Sequence, residues 1–329
     1  MKEYKVSVVI PMYGVEQFIA KCAHSLLNQT LQEVEFIFVN DATKDNSIEV
    51  LGQVIEQYPQ RGADVRIITH KENKGLPSAR NTGLAMAKGE YVFHCDGDDF
   101  VEPDMLEVLY DEAKNHKADI VWCDWFLSFG TNERKMKQPD YATPTEALKA
   151  MLGGAMKYNV WNKLAKRSLY VEHSICFPDG YGMGEDMTML LLFAHAQKVV
   201  YVPKPFYHYV KMNTGAFSQT FSEKHQVALK YNVQRTSEYL RDVFGHDLDQ
   251  EIAFLQLEAK FPFLIMSGNP KFYRLWEEWY PEANRYIPSN KNICKRNRFV
   301  QWCAWKGQFW LVWLHYQLII KVVYGIIYR

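Results

Sequence analysis

No two of the six cysteines stand at Cys-x-x-Cys spacing. That excludes a zinc ribbon and a thioredoxin-type dithiol. Cys22, Cys95, Cys123, Cys176, Cys294 and Cys303 are scattered singles, a pattern that predicts reduced, buried thiols. No Gly-x-Gly-x-x-Gly follows the first apolar run, and no Gly-x-x-x-x-Gly-Lys-[Ser/Thr] occurs anywhere. A dinucleotide-binding fold and a P-loop nucleotidase therefore lose their main support. Net charge is also missing, with 38 Lys+Arg against 38 Asp+Glu, which argues against a nucleic-acid partner. Only the short run VSVVI separates Lys5 from Pro11. An apolar core that short predicts no secretory leader and a cytoplasmic protein. Acidic residues are absent after Glu282, where eight Lys and Arg remain, so the chain divides into a body of −8 and a tail of +8.

What is present is a globular composition. The chain has 329 residues, 48% hydrophobic and 23% charged, enough for one large domain or two. VSVVI at 6–10 reads as a buried strand. Val15, Phe18, Ile19, Cys22 and Leu26 follow at helical spacing. VEFIFV (34–39), 65–69 and 91–95 read as further strands, with helices over 45–58 and 77–87 between them. The pace of alternation predicts βαβ units, an α/β fold and a mostly parallel sheet flanked by helices. Residues 103–122 read as helix then strand, 129–144 as a loop, and 221–266 as helical. The expected organisation is a catalytic domain over 1–220, a helical extension over 221–285 and a basic aromatic segment over 286–329.

In such sheets ligands bind beyond the carboxyl ends of the strands. Those ends carry Pro11-Met12-Tyr13, Asn40-Asp41 and Asp96-Gly97-Asp98-Asp99. Three carboxylates in four residues repel one another, and a hard cation such as Mg²⁺ or Mn²⁺ would neutralise them. Gly97 leaves room for a ligand. The plainer reading is a solvated acidic turn capping the next helix. Asp41 reads either as an acceptor for a ligand N–H or as an Asx-turn or helix cap. Glu185-Asp186, after a glycine-rich run and before MTMLLLFAHA, reads as a helix cap or as a general base.

Five ordered segments carry a resemblance: VSVVIPMYGVEQFIAKCAHSLLNQT, VEFIFVNDATKDNS, ENKGLPSARNTGLAMAKGEYVFHCDGDD, VWNKLAKRSL and GEDM. Over about the first 215 residues the chain resembles family 2 glycosyltransferases, inverting enzymes with the Rossmann-like GT-A fold. The resemblance implies a nucleotide-sugar donor, a UDP-sugar by preference, and transfer to an acceptor hydroxyl. Pro11 and Tyr13 would line the nucleobase pocket, Asp41 would accept the uracil N–H, and Lys74 and Gly75 would lie near the nucleotide. Asp96 and Asp98 would form the DxD motif, with Asp98 holding divalent Mn²⁺ or Mg²⁺ and Asp96 and Gly97 beside the donor. Asp186 would be the catalytic base, with Glu185 the fallback. His208 would complete the metal shell, or else be a half-buried strand histidine. Trp161 would floor the sugar pocket or belong to the core. Departures from the family pattern are Asn40, Ala42-Thr43 and Pro77, none at an expected catalytic carboxylate. A nucleotidyltransferase would need a basic, glycine-rich triphosphate loop after the first strand, which is lacking; a degenerate, inactive sugar-nucleotide binder is the other alternative.

Residues 299–328 hold four tryptophans. Trp302, Trp305, Phe309, Trp313, Tyr316, Ile320, Val323 and Ile327 would share one face of a single helix. Its uncharged run, Gly307–Ile320, has 14 residues, where a membrane span needs about 20. The expectation is an interfacial helix with basic residues at the headgroups, on the inner face of the cell membrane, serving a saccharide or lipid-linked saccharide acceptor. The alternative is a helix packed on protein.

Overall fold

The structure is a computed structural model, and it describes residues 3–130, 132–211, 222–266 and 268–327, with side chains to 322. It forms two compact units, one from 1–147 and 158–232, the other from 148–157 and 233–329. The division falls inside a helix, Glu223–Phe244, rather than in a linker.

The first unit holds the sheet. Strands β1 (Val6–Met12), β2 (Val34–Asn40), β3 (Val65–Thr69) and β4 (Tyr91–His94) pair in parallel in the order β3-β2-β1-β4. β1 and β2 are buried at every position, as expected of strands covered on both faces. Helices α1 (Ile19–Leu27), α2 (Ser47–Ile55) and α3 (Leu76–Met86) supply the crossovers. A Cβ on Gly83 of α3 would lie 2.3 Å from Val9 Cγ1. Glycine therefore lets α3 approach β1 more closely than any side chain would permit.

Beyond β4 the sheet becomes mixed. After β5 (Phe100–Val101) and α4 (Met105–His116), β6 runs from Ile120 to Ser128. It pairs antiparallel with β7 (Glu133–Met136) and β8 (Lys163–Lys166), and parallel with β9 (Val199–Val210). The segment expected as a loop over 129–144 thus contains β7, half of a hairpin whose exposed residues lack an apolar alternation. Four cysteines are buried, but Cys176 and Cys294 are exposed, against the expectation for all six.

The second unit is helical: α5 and α6 having been passed at Pro144–Leu152 and Arg167–Glu172, and α7 and α8 at Thr188–Phe193 and Glu223–Phe244, it contains α9 (Asp249–Lys260), α10 (Pro262–Ile265), α11 (Pro270–Glu278), α12 (Lys295–Trp305) and α13 (Phe309–His315). Lys260 is fully buried. Its Nζ donates to the carbonyls of Trp276, Trp279 and Tyr280 and to Asn284 Oδ1, at 2.7–3.3 Å. The ammonium thereby satisfies carbonyls at the end of α11.

The C-terminal segment is not one helix. It breaks at Gly307, whose φ is +69°, and the Gln308 N–H returns to Cys303 O at 2.8 Å. A left-handed glycine closing a helix in this way ends it. The expected single stripe is therefore divided between α12, α13 and a π-helical stretch, Tyr316–Ile327. The side chains of Val323 and Ile327 lie outside the described residues. Among the described residues, no helix is long and apolar enough to cross a membrane.

Candidate active site

Tyr13 follows β1, Asp41 follows β2, and Asp96 and Asp98 lie just after β4. All four sit at the carboxyl edge of the parallel strands. Tyr13 is 53% exposed there, while Pro11 is buried inside β1 opposite Val39. A Cβ on Gly97 would come within 3.0 Å of Pro11 O, so this turn lies directly on the end of β1.

Asp41 neither caps a helix nor closes an Asx-turn. The Asx-turn belongs to Asp45, whose Oδ1 accepts from Ser47 N at 3.2 Å at the start of α2, while Asn40 Oδ1 accepts from Thr43 N at 2.9 Å. Buried Asp41 instead organises the loop before α3. Its Oδ1 meets His70 Nδ1 at 2.7 Å and accepts from Lys74 N at 2.8 Å; its Oδ2 accepts from Gly75 N at 2.7 Å. Lys74 and Gly75 thus come to Asp41 through their backbone. A carboxylate has about four acceptor positions, so three donors leave room for one more N–H.

The acidic turn after β4 is not a solvated cap. Asp96 Oδ1 accepts from Arg80 Nη2 at 2.8 Å. Asp99 is buried, accepting from Tyr207 Oη at 2.6 Å and from Val210 N at 2.7 Å. Burial, reinforced by Asp98 and Asp96, pushes Asp99 well above the usual carboxylate range. The Tyr207 hydroxyl also accepts from Asp96 N at 3.1 Å. One carboxylate is thus matched by a guanidinium and one is held towards its neutral form, while Asp98 stays half-buried.

Arg80, on α3, was not among the residues expected in the site. It is 1% exposed, and the same Nη2 lies 3.5 Å from Glu185 Oε1. Burial alone would push Arg80 down. Asp96, Glu185 and Asp186 outweigh it and hold the guanidinium above its usual range. Its Nε and Nη1 are enclosed without a hydrogen-bond partner. The only signal for Arg80 in the sequence is its place in ARNTG, just after the Lys74-Gly75 loop. Its neighbour Asn81 exchanges hydrogen bonds with Phe177 at 2.8 and 2.9 Å, fixing the segment that leads to Glu185.

Glu185 and Asp186 lie in a 3-10 turn, Glu185–Met187, entered through left-handed Gly184. Burial, helped by Asp186, pushes Glu185 well above the usual carboxylate range, with Arg80 opposing. Asp186 is half-buried with Oδ1 fully enclosed and unpartnered. Burial raises it to about 6, against the opposing charge of Arg80. Burial raises both acids, and Asp186, at about 6, is ionisable near neutrality. Lys163, fully buried and bonded to Asn159 O and Asn162 Oδ1, adds positive charge on the Asp186 side. Burial pushes Lys163 itself down to about 7.

His208 lies elsewhere. Its ring is stacked between Phe100 and Phe126, at 4.1 and 4.7 Å. Nδ1 meets Glu133 at 2.7 Å and Nε2 meets Glu102 at 2.8 Å. With both nitrogens engaged, His208 offers no open lone pair to a metal, which corrects the expectation. Trp161 is 6% exposed and stacked on Tyr207 and Tyr209 at 4.6 and 5.3 Å, so it is a core residue. Among the described residues, no cluster of three or more His, Cys, Asp or Glu could by itself hold a metal. Asp98 with Asp96 fits a hard cation that keeps waters and takes substrate phosphates, as Mg²⁺ and Mn²⁺ do.

Comparison with known proteins bears on the fold and the family. The chain is 36% identical to glycosyltransferase EpsJ of Bacillus subtilis (strain 168) over 215 residues, 62% of this chain and 60% of that protein's length. It is 32% identical to glycosyltransferase EpsH of the same strain, over 91% of this chain and 78% of that one. Among solved structures, S. aureus TarS 1-349 in complex with UDP-GlcNAc superposes with a TM-score of 0.66 at 18% identity, covering 95% of this chain and 91% of that one. Mannosyltransferase PcManGT from Pyrobaculum calidifontis, in complex with GDP-Man and Mn²⁺, gives 0.54 at 15% identity, covering 96% and 88%. These likenesses show the GT-A fold. The model of glycosyl transferase family 2 matches residues 7–188, the span that holds Tyr13, Asp41, Arg80, Asp96, Asp98, Glu185 and Asp186, and the chain belongs to that family.

Proposed function

We propose that the protein moves a sugar from a UDP-sugar to an acceptor hydroxyl with inversion, in polysaccharide or glycolipid biosynthesis. One observation carries the reading. A single buried guanidinium, Arg80, reaches Asp96 of the DxD turn at 2.8 Å and Glu185 beside the base at 3.5 Å. Donor carboxylates and base are therefore within one side chain's span.

Asp41 presents its remaining acceptor position to the base N–H, and exposed Tyr13 offers a ring for stacking. Asp98 and Asp96 would hold the divalent ion, which when bound neutralises the departing diphosphate. Asp186 takes the proton from the acceptor hydroxyl as its oxygen attacks the anomeric carbon. The bond to the diphosphate breaks, and its electron pair leaves on the phosphate oxygen. The proposed displacement is direct, with Asp186 as the base and no covalent intermediate, and so inverts the anomeric centre. UDP release should therefore rise with Mn²⁺ for one member of a UDP-sugar panel. Asp98→Ala is expected to lower that rate about 10²–10³-fold, the size of losing one transition-state charge stabiliser. Unchanged turnover would remove Asp98 from the metal site. Pyrophosphate release from a nucleoside triphosphate and a sugar phosphate would assign the fold to nucleotidyl transfer.

The C-terminal segment is the proposed contact with the inner face of the cell membrane, bringing the enzyme to a saccharide or lipid-linked saccharide acceptor. Phe299, Trp302, Leu318 and Val322 are 41–57% exposed there, and no acidic residue follows Glu282. Val300, Cys303, Ala304 and Val312 are buried, so truncation would damage the second unit's core; point changes are the cleaner test. Phe299→Glu with Leu318→Glu should shift the protein from the pellet to the supernatant with anionic liposomes. Equal pelleting of both forms would defeat the membrane contact.

A further inference from the structure

The second unit contains a groove of about 470 Å³ between α11 and α13, within the roughly 300–1,000 Å³ of small-molecule sites. Tyr273, Arg274, Glu277, Phe309, Trp310 and Trp313 line it. Its residues lie outside the span that matches the family model, and the transfer chemistry uses none of them.

Three features narrow what the groove takes. Its walls are aromatic: Tyr273 stacks on Phe309 at 5.2 Å, and Trp310 and Trp313 are 62% and 47% exposed. Large flat rings left in water on a groove wall offer faces for C–H-rich ligands. The Trp310 indole N–H is fixed by Gln308 Oε1 at 2.9 Å, which steadies that ring. Gly268 leaves the Trp313 ring close to the backbone, since a Cβ there would lie 2.8 Å from Trp313 Cδ1.

The polar groups are balanced. Arg274 supplies a fork of donors and Glu277 a pair of acceptors, one charge of each sign. A wall of zero net charge gives no attraction to an anionic lipid headgroup, whose sites are basic. Tyr273 is 6% exposed, and its hydroxyl has no hydrogen-bond partner. Aromatic faces beside a neutral donor–acceptor set match a ring that is apolar on its faces and hydroxylated at its edge.

We infer that this groove is a saccharide-binding site, taking neutral sugar rings of an acceptor or product glycan. The choice of glycan over other polyols rests on the transferase reading; the groove itself does not. Isothermal titration of the full-length protein with cellotetraose, maltotetraose and chitotetraose tests it, with UDP titrated in parallel. At least one tetrasaccharide should bind in the absence of UDP. Trp310→Ala and Glu277→Gln should each weaken that binding at least about tenfold, the effect of a lost stacking face or charged hydrogen bond. UDP affinity should be unchanged, and unchanged urea unfolding reports that the variants are folded. Absence of binding by all three sugars, or binding that ignores both substitutions, overturns the inference. Trp310-dependent binding to phosphatidylcholine vesicles without sugar binding would assign the groove to lipid and overturn it as well. Failure of UDP to bind the wild-type protein would count against the donor site and leave the groove's result standing.

Discussion

Asp186→Asn is expected to lower turnover by about 10²–10⁴-fold, the usual contribution of a positioned general base, with little change in UDP affinity. Asparagine keeps the volume of the side chain but cannot take a proton from the acceptor. Glu185→Gln should cost far less, because burial and the neighbouring Asp186 already hold Glu185 towards its neutral form. The pH profile follows from the same environment. Asp186 is raised to about 6, and the ionised form is the active one. Activity is therefore present above that value and lost as pH falls through it. Initial rates across this range should show a single acid limb. A flat profile, or a Glu185→Gln loss as large as that of Asp186→Asn, would reverse the roles of the two acids.

Arg80→Leu should destabilise the first unit by about 3–5 kcal/mol at neutral pH, the cost of leaving buried charge without its partner. The guanidinium donates to Asp96 Oδ1 at 2.8 Å and lies 3.5 Å from Glu185 Oε1. It also draws Asp186 down against its burial. Removing it leaves Glu185 and Asp186 without the cation that opposes their burial, and Asp96 without its donor. The pH dependence has a definite sign. Asp186 is raised from 3.8 to about 6 in the fold, so the folded state holds its proton more tightly than the unfolded chain. Its contribution to stability falls as pH rises through that window. Without Arg80 the acids rise further, so Arg80→Leu should harm stability more at neutral than at acid pH. Urea unfolding at the two ends of the window measures this. Arg80→Lys should recover only part of the loss, since a single ammonium cannot match the planar fork. A loss below about 1 kcal/mol, typical of an exposed pair, would mean the cluster is solvated.

Much of the first unit is legible in the residues. Apolar runs at 6–10 and 34–39, each interrupted by one polar residue, Ser7 and Glu35, mark strands covered on both faces, because burial on both sides favours such runs. Pro77 in the first turn of α3 and polar residues at strand ends locate the helix and the edge where ligands bind. The β7 strand was not legible: its solvent-facing residues ERKM carry no period, and hairpin pairing with β6, not local preference, makes them extended.

The order of elements, the carboxylates at the strand ends and the opposite charges of body and tail follow from local period and composition along the chain. Packing in space sets how burial raises each acid and which cation serves them. Arg80 is 16 residues from Asp96 by number and 105 from Glu185, yet one nitrogen approaches both. It also decided that His208 is held by Glu102 and Glu133, and that Gly307 divides the aromatic tail into separate helices. The reason is physical: desolvation and Coulomb energy depend on distance in space and on exclusion of water, and neither is fixed by position along the chain.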